Sequence, residues 1–212
     1  MTVENGAVSI IIMAKAPIPG QVKSRLCPPC TPEEAALLAE AALHDTLETA
    51  GAVPGTRTVV SLDGRAGAWL PRGILVMPQR GEGLAERLAA AFHDVGGPAI
   101  AIGMDTPQVP QALLARAVSM LERTDAVLGP ADDGGYWAIG LRRADARVFQ
   151  GIPMSTPTTA ALQQARLEEL GLRCGPLPII RDVDTFPDAV AVAAEAPGSR
   201  FAEAVRLLGT RV

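Results

Sequence analysis

Apolar residues recur along the chain with two periodicities, one typical of buried strands and the other of helices. Continuous β-branched runs such as Val8–Ala14 predict strands that are covered on both faces. Apolar positions three and four residues apart, as after the predicted capping box Thr31–Glu34, predict amphipathic helices. The predicted strands are 8–14, 56–62, 74–77, 98–102, 125–129, 136–141 and 177–180, and the predicted helices are 32–50, 84–95, 111–121, 158–170 and two short helices after Phe186 and Ser199.

The order of these elements indicates the fold class. Strands and helices alternate with short connections, which is the pattern of an α/β three-layer sandwich with a mostly parallel central sheet. Residues 129–160 depart from this alternation, so we expect one antiparallel strand or hairpin there. No linker or internal repeat interrupts the pattern, and residues 1–212 are therefore predicted to form a single domain.

Composition narrows the class of protein. The 212 residues carry a net charge of −4 and are 48% hydrophobic but only 3% aromatic, which argues against a nucleic-acid partner. No apolar run reaches the roughly 18 residues of a membrane span, and Glu4 precedes the first apolar run without any basic residue, unlike a signal peptide. The three cysteines cannot all pair, so we expect a cytoplasmic protein.

Two of these cysteines, Cys27 and Cys30, have the spacing of a redox motif. They precede a predicted helix, whose N-terminal dipole would lower the pKa of a thiol. No second cysteine pair is present to complete a zinc site. A redox role and a plain loop position both remain open, and the loop position is favoured.

Charged residues follow four of the predicted strands. Ligands of open α/β sheets bind beyond the carboxyl ends of the strands, so these residues should share one rim. Lys and Arg would neutralise phosphate oxygens there, and carboxylates would hold Mg2+ or Mn2+. The segments are Lys15–Arg25, which contains both lysines of the chain, Gly103–Pro107, Pro130–Tyr136 and Arg181–Asp184.

Each carboxylate also has a structural interpretation. Asp105 could cap the helix that follows it, and the Asp132–Gly135 run has the composition of a turn. Asp182 and Asp184 could cap the helix after Phe186. The shared position at strand ends favours the functional interpretation, although neither a Walker A nor a GxGxxG motif is present.

The same residues resemble a bacterial family of small glycosyltransferase-like proteins with the nucleotide-diphospho-sugar transferase (glycosyltransferase A-type) fold. The resemblance spans nearly the whole chain, but Met154 stands where the family usually has Trp and Ala85 where Gly is common. The stretch Lys23–Leu26 is also similar to phospholactate guanylyltransferases. The matching motifs are Lys15-Ala-Pro-x-Pro-Gly-x-Val-Lys-Ser-Arg-Leu26, Gln79-x-Gly81, Leu84-x-Glu86-Arg87, Gly103-x-Asp105-x-Pro107, Gly129-Pro-x-x-Asp133-Gly-Gly-Tyr136 and Asp182-Val-Asp184.

The resemblance implies a nucleotide site in the N-terminal half and a divalent metal, Mg2+ or Mn2+, on Asp105. We expect Asp184, or alternatively Asp132, to assist Asp105 in holding the metal. Lys23 and Arg25 are candidates to stabilise charge on the leaving nucleotide, and Asp133 to orient or deprotonate an acceptor. Trp137 is either an acceptor wall or a core residue. The candidate nucleotide-binding residues are Lys15, Ala16, Pro17, Gly20, Lys23, Arg25, Gln79 and Gly81, and the candidate acceptor-binding residues are Asp132, Gly134, Gly135 and Tyr136.

These assignments favour a metal-dependent transferase that moves a sugar from a nucleotide-diphospho-sugar to a small acceptor. The alternative is a nucleotidyltransferase that joins a nucleoside triphosphate to a small phosphorylated acceptor and releases pyrophosphate. A third possibility is a binding protein that keeps the fold without the chemistry.

Overall fold

A seven-stranded sheet forms the centre of the molecule in the computed structural model, which describes residues 7–209. The strands are β1 (Val8–Lys15), β2 (Thr56–Asp63), β3 (Leu75–Pro78), β4 (Ala99–Gly103), β5 (Ala126–Pro130), β6 (Tyr136–Leu141) and β7 (Cys174–Pro176). The helices are α1 (Pro32–Gly51), α2 (Leu84–Val95), α3 (Gln111–Leu121), α4 (Thr159–Glu169), α5 (Phe186–Glu195) and α6 (Arg200–Gly209).

The strand order is β3-β2-β1-β4-β6-β5-β7, and β6 alone runs antiparallel to its neighbours. Apolar side chains cover both faces of the sheet. Leu43 of α1 and Leu114 of α3 belong to the cluster on one face, whereas Phe92 of α2 and Leu167 of α4 belong to the cluster on the other. The predicted α/β sandwich, with its antiparallel strand between 129 and 160, is confirmed.

Helix α1 begins at the predicted capping box. The Thr31 hydroxyl accepts a hydrogen bond from the Glu34 backbone N–H at 3.2 Å, and the Glu34 carboxylate accepts one from the Thr31 N–H at 2.9 Å. None of the helices within residues 7–209 has both the length and the apolar character that a bilayer span requires.

The last strand lies earlier than the sequence pattern predicts. Strand β7 ends at Pro176, and the predicted strand 177–180 instead forms only scattered contacts along β5. The N–H groups of Leu177 and Ile180 donate to backbone oxygens of the β5 strand, but Pro178 has no N–H with which to continue a ladder. This irregular segment carries the chain to the carboxyl end of the sheet, where Asp182 and Asp184 follow.

Candidate active site

The carboxyl ends of β1, β4 and β5 meet the segment after β7 at one rim of the sheet. The rim surrounds a cavity of about 290 Å³. Its charged lining residues come from all four regions that the sequence singles out, and they are Arg25, Asp105, Asp133, Asp182 and Asp184.

Lys23 connects three of these regions. Its backbone adopts the left-handed conformation, with φ of 48°, which is strained for a residue with a side chain. Its ammonium donates hydrogen bonds to the Asp105 carboxylate at 3.0 Å and to the backbone oxygen of Val183. The side chain is only 12% exposed, and Nζ also lies 4.0 Å from an oxygen of Asp184. Lys23 therefore neutralises part of the acidic rim.

The segment Lys15–Arg25 carries two further cations, Arg25 and Lys15, and both are more accessible to solvent than Lys23. Arg25 is 71% exposed and donates from Nη1 to Asp184 at 2.6 Å. Lys15 is exposed at the end of β1, in register with Asp63 of β2, and lies outside the group around Lys23. The loop thus brings Lys23 and Arg25 to the carboxylates but leaves Lys15 at the neighbouring strand end.

Three carboxylates form a compact group. Oxygens of Asp133, Asp182 and Asp184 lie within 4.8 Å of one another, a spacing that fits a single metal ion. The sequence identifies Asp182 as a strand-end carboxylate in the Asp182-Val-Asp184 motif, but only Asp184 of that motif was assigned to the metal. Asp105 lies beside this group and contacts Lys23 instead.

The carboxylate group carries more negative charge than its neighbours neutralise. Burial, together with the nearby charges of Asp105, Asp184 and Asp133 and against the opposing effect of Lys23, raises the pKa of Asp182 to about 7. The ionised form of Asp182 is therefore unfavourable in the protein alone, and perturbed carboxyl groups of this kind are common at binding sites.

Helix capping does not account for these aspartates. Pro110 is the N-cap residue of α3 and no side chain caps this helix, so Asp105 has no capping role there. At the start of α5, the Asp188 carboxylate accepts a hydrogen bond from the Thr185 N–H at 2.9 Å. Thr185 and Asp188 form a capping box at the start of α5, and neither Asp182 nor Asp184 takes part in it.

The β5–β6 turn combines a structural role with a rim position. The Asp133 carboxylate accepts a hydrogen bond from the Gly135 N–H at 2.7 Å, so one of its oxygens fixes the turn. Gly134 has φ of +89°, and a Cβ there would lie 2.0 Å from the Pro157 carbonyl oxygen. Asp132 pairs with Arg181 at 3.1 Å, outside the carboxylate group.

Residues 16–20, which follow β1, and Gln79, which follows β3, form the neighbouring part of the rim. Ala16 is buried, Pro17 is half-buried and Gly20 lies in an exposed turn with φ of +75°. The Gln79 amide donates to the carbonyls of Ala14 and Ser61 at 3.0 and 2.9 Å, which ties the ends of β1 and β2 together.

Gly81 follows Gln79 where the chain turns tightly towards α2. Its φ is +120°, and a Cβ there would lie 2.5 Å from the Glu86 Cβ. Gln79 and Gly81 thus have clear structural roles, and nucleotide binding by them stays a prediction.

Tyr136 and Trp137 differ in their surroundings. The Tyr136 hydroxyl lines the cavity 3.5 Å from the Met154 sulfur, and burial raises the pKa of this tyrosine. Trp137 is only 3% exposed and donates from Nε1 to the Pro178 carbonyl, so it is a core residue that also lines the cavity. All three cysteines are free, and burial together with Glu34 and Cys27 raises the pKa of Cys30. That direction is opposite to the one a reactive thiol requires.

Comparisons with known proteins agree with this architecture. A family described as "uncharacterized protein conserved in bacteria" (DUF2064) matches residues 37–156. A crystal structure of a candidate nucleotide-diphospho-sugar transferase from Desulfovibrio desulfuricans G20 is 28% identical with a TM-score of 0.87, over 96% of this chain and 95% of that one. Among curated proteins, no sequence is significantly similar to the chain.

More distant structures share the fold. Rv0371c from Mycobacterium tuberculosis H37Rv, in complex with manganese, is 18% identical with a TM-score of 0.59, over 89% of this chain and 98% of that one. A CMP:2-keto-3-deoxy-manno-octonic acid synthetase in complex with CTP is 16% identical with a TM-score of 0.56, over 90% of this chain and 99% of that one. The fold is therefore one that sugar-nucleotide transferases and nucleotidyltransferases share.

Proposed function

The chain belongs to the DUF2064 family of bacterial proteins, and from the chemistry of its acidic rim we propose that it is a metal-dependent transferase that moves a sugar from a nucleotide-diphospho-sugar to a small acceptor. The observation that carries this proposal is the approach of Asp133, Asp182 and Asp184 within 4.8 Å of one another, beside Lys23 and Arg25. The carboxylates of this group outnumber the cations beside them, so a divalent metal ion would balance their charge. The same ion would also neutralise the diphosphate of a bound nucleotide sugar.

The donor set fits Mg2+ or Mn2+. Carboxylate oxygens are hard ligands of the kind that these ions prefer, and neither histidine of the chain belongs to the group. Asp182 and Asp184 would hold the ion from one short segment, with Asp105 beside them, while Asp133, the third member of the group, is left to face the acceptor. Burial and, to a smaller extent, the neighbouring aspartates disfavour the charged form of Asp182, and a bound cation would favour that form again, which supports this assignment.

Lys23 and Arg25 would stabilise the leaving group. Arg25 lines the cavity and Lys23 lies beside it, and both contact carboxylates of the same rim, so we place the diphosphate next to them. When bound, the divalent ion would supply further neutralisation of the diphosphate charge. Lys15 and the loop 16–20 would contact the nucleotide at the adjacent end of β1.

Asp133 is the proposed proton acceptor. It is exposed, and the hydrogen bond from Gly135 fixes its orientation while leaving its second oxygen available. The acceptor hydroxyl oxygen forms a bond to the anomeric carbon of the sugar as the bond from that carbon to the diphosphate oxygen breaks. The nucleoside diphosphate leaves with the electron pair, and the hydroxyl proton moves to Asp133.

Calorimetric titration with a panel of nucleotide sugars in the presence of Mn2+ tests this function. We expect at least one nucleotide sugar to bind, and we expect Asp184→Asn to lose that Mn2+-dependent binding. Asp145→Asn is the matched control, because Asp145 also pairs with an arginine, Arg147, at 2.6 Å, but lies away from the rim. No binding of any nucleotide sugar would overturn the proposal.

A nucleotidyltransferase is the second candidate, favoured by the shared fold of the CTP-bound synthetase and by three cations on one loop. The two reactions release different products. Pyrophosphate release from a nucleoside triphosphate indicates nucleotidyl transfer, whereas nucleoside diphosphate release indicates sugar transfer.

A further inference from the structure

The cavity behind the carboxylates has an apolar interior. Met13 of β1, Leu84 and Leu88 of α2, Ile139 of β6 and Met154 form its walls. Ala101 and Gly103 of β4 also line it, and their small size leaves open the space above the sheet. A volume of about 290 Å³ is at the lower end of the range for ligand pockets, so the space suits a small apolar body.

The cations around the cavity are those that the proposed function assigns to the donor diphosphate, so none of them is left for an anionic acceptor. Among the described residues that line it, four are aspartates and Arg25 alone is a cation. Arg25 already contacts Asp184 at 2.6 Å, and Lys23 nearby contacts Asp105 at 3.0 Å. A phosphate or carboxylate on the acceptor would therefore face carboxylates without a free cation in the lining to bind it.

The Tyr136 hydroxyl supplies a polar group inside the cavity. Its hydrogen-bond partner is the sulfur of Met154 at 3.5 Å, and a thioether is a weak acceptor. A largely buried hydroxyl with so weak a partner is available to donate to an oxygen of a ligand.

We propose that this cavity binds the acceptor, and that the acceptor is a small uncharged alcohol with an apolar body. Its reacting hydroxyl lies at Asp133, a second oxygen accepts from Tyr136 where the acceptor has one, and its body packs against Met13, Leu88 and Met154. The inference rests on the proposed transferase function and adds the substrate class. It also separates this site from one that accepts a phosphorylated substrate.

Three probes that all carry a free hydroxyl test the acceptor class: 2-phenylethanol, its phosphate-bearing analogue 4-(2-hydroxyethyl)phenyl phosphate, and glycerol. Each is added to the full-length protein with Mn2+ and a nucleotide sugar that calorimetry has shown to bind, and release of nucleoside diphosphate is measured. We expect 2-phenylethanol to give a kcat/KM about tenfold above that of the other two, since burial of apolar groups favours it and charge repulsion disfavours the phosphate ester. An equal or higher value for the phosphate ester or glycerol overturns the inference.

Variants of the cavity wall locate the binding. Leu84→Ala is expected to raise the KM for 2-phenylethanol about fivefold without a comparable change in kcat. Leu162→Ala is the control, because Leu162 has nearly the same exposure, 40% against 42%, but lies on α4 outside the cavity. A KM that is unchanged in Leu84→Ala, or raised equally in Leu162→Ala, contradicts the assignment.

Direct binding separates this inference from the transferase proposal. Saturation-transfer NMR measures binding of 2-phenylethanol to the protein without donor, and we expect Leu84→Ala to weaken that binding and Leu162→Ala to preserve it. If no nucleotide sugar binds, but the alcohol binds to wild type and Leu162→Ala more tightly than to Leu84→Ala, the transferase proposal fails and the cavity assignment stands. If nucleotide sugars bind and the alcohol does not, the cavity assignment fails and the transferase proposal stands.

Discussion

At the scale of single residues, Lys23 is the most constrained cation of the rim. Its compact ammonium reaches an oxygen of Asp105 and the carbonyl of Val183 from a strained backbone, in a side chain that is 12% exposed. A guanidinium is planar and larger, and cannot take the same position between these two oxygens. The preference for lysine here therefore has a physical reason in a chain whose other basic residues, except Lys15, are all arginine.

We predict that Lys23→Arg weakens nucleotide-sugar binding about tenfold although it keeps the charge. The loss corresponds to one charge-assisted hydrogen bond of about 1.5 kcal/mol. Calorimetry in the presence of Mn2+ measures it, and Arg147→Lys is the control, because this exchange of basic side chains lies away from the cavity, where Arg147 pairs with Asp145. If Lys23→Arg binds the nucleotide sugar as tightly as wild type does, an arginine serves equally well at this position and the lysine has no specific role.

At the scale of elements, the β5–β6 turn determines where Asp133 lies. Gly134 and Gly73 have nearly equal φ angles of +89° and +86°, yet a Cβ on Gly134 would meet the Pro157 carbonyl oxygen at 2.0 Å, whereas a Cβ on Gly73 meets nothing within 4 Å. The two glycines therefore share the backbone strain that a side chain would introduce but differ in the clash.

We predict that Gly134→Ala lowers kcat by more than tenfold and that Gly73→Ala leaves it unchanged. Both substitutions should lower the free energy of unfolding by about 1 kcal/mol through left-handed strain, and Gly134→Ala by more because the turn must move. Urea denaturation and steady-state kinetics measure the two effects. Equal kinetics in the two variants would show that the position of the turn does not matter for catalysis.

Most elements could be predicted from sequence because their apolar periodicity and caps are local signals. The start of α1 follows from the Thr31–Glu34 box, and β1 from one continuous apolar run. Strand β7 was placed wrongly, because the apolar residues of 177–180 resemble a strand while Pro178 interrupts the hydrogen bonds that would make one. The spacing of apolar residues gives no information about a backbone N–H donor that a proline lacks.

Strand ends also identified the four regions of the rim, but not the contacts between them. Residues 23 and 183 are 160 positions apart, and no local pattern indicates that the ammonium of one reaches the carbonyl of the other. Asp182 was recognised at a strand end but given no role for the same reason: its burial and its distance to Asp133 arise only when β5 and the segment after β7 lie side by side.

At the scale of the whole molecule, the acidic rim lowers the stability of the metal-free protein. Burial and three neighbouring aspartates raise the pKa of Asp182 to about 7, well above the value of an unfolded chain near 4. Between these two values the folded state binds more protons than the unfolded state, so the free energy of unfolding falls as pH rises through this window. Above about pH 7 the loss is complete.

We predict that Asp182→Asn is more stable than wild type by roughly 1–2 kcal/mol at pH 8 in the presence of a chelator, and that the difference shrinks towards pH 4. Urea denaturation across this range measures it, with Asp145→Asn as the control, because Arg147 lowers the pKa of Asp145 and an amide there brings no gain. Mn2+ should reverse the order: at a hundredfold excess over its Kd it adds about 2.7 kcal/mol to wild type and much less to Asp182→Asn. A variant that lost stability at pH 8 without metal would show that the carboxylates support the fold, and the case for a metal at this rim would lose its electrostatic basis.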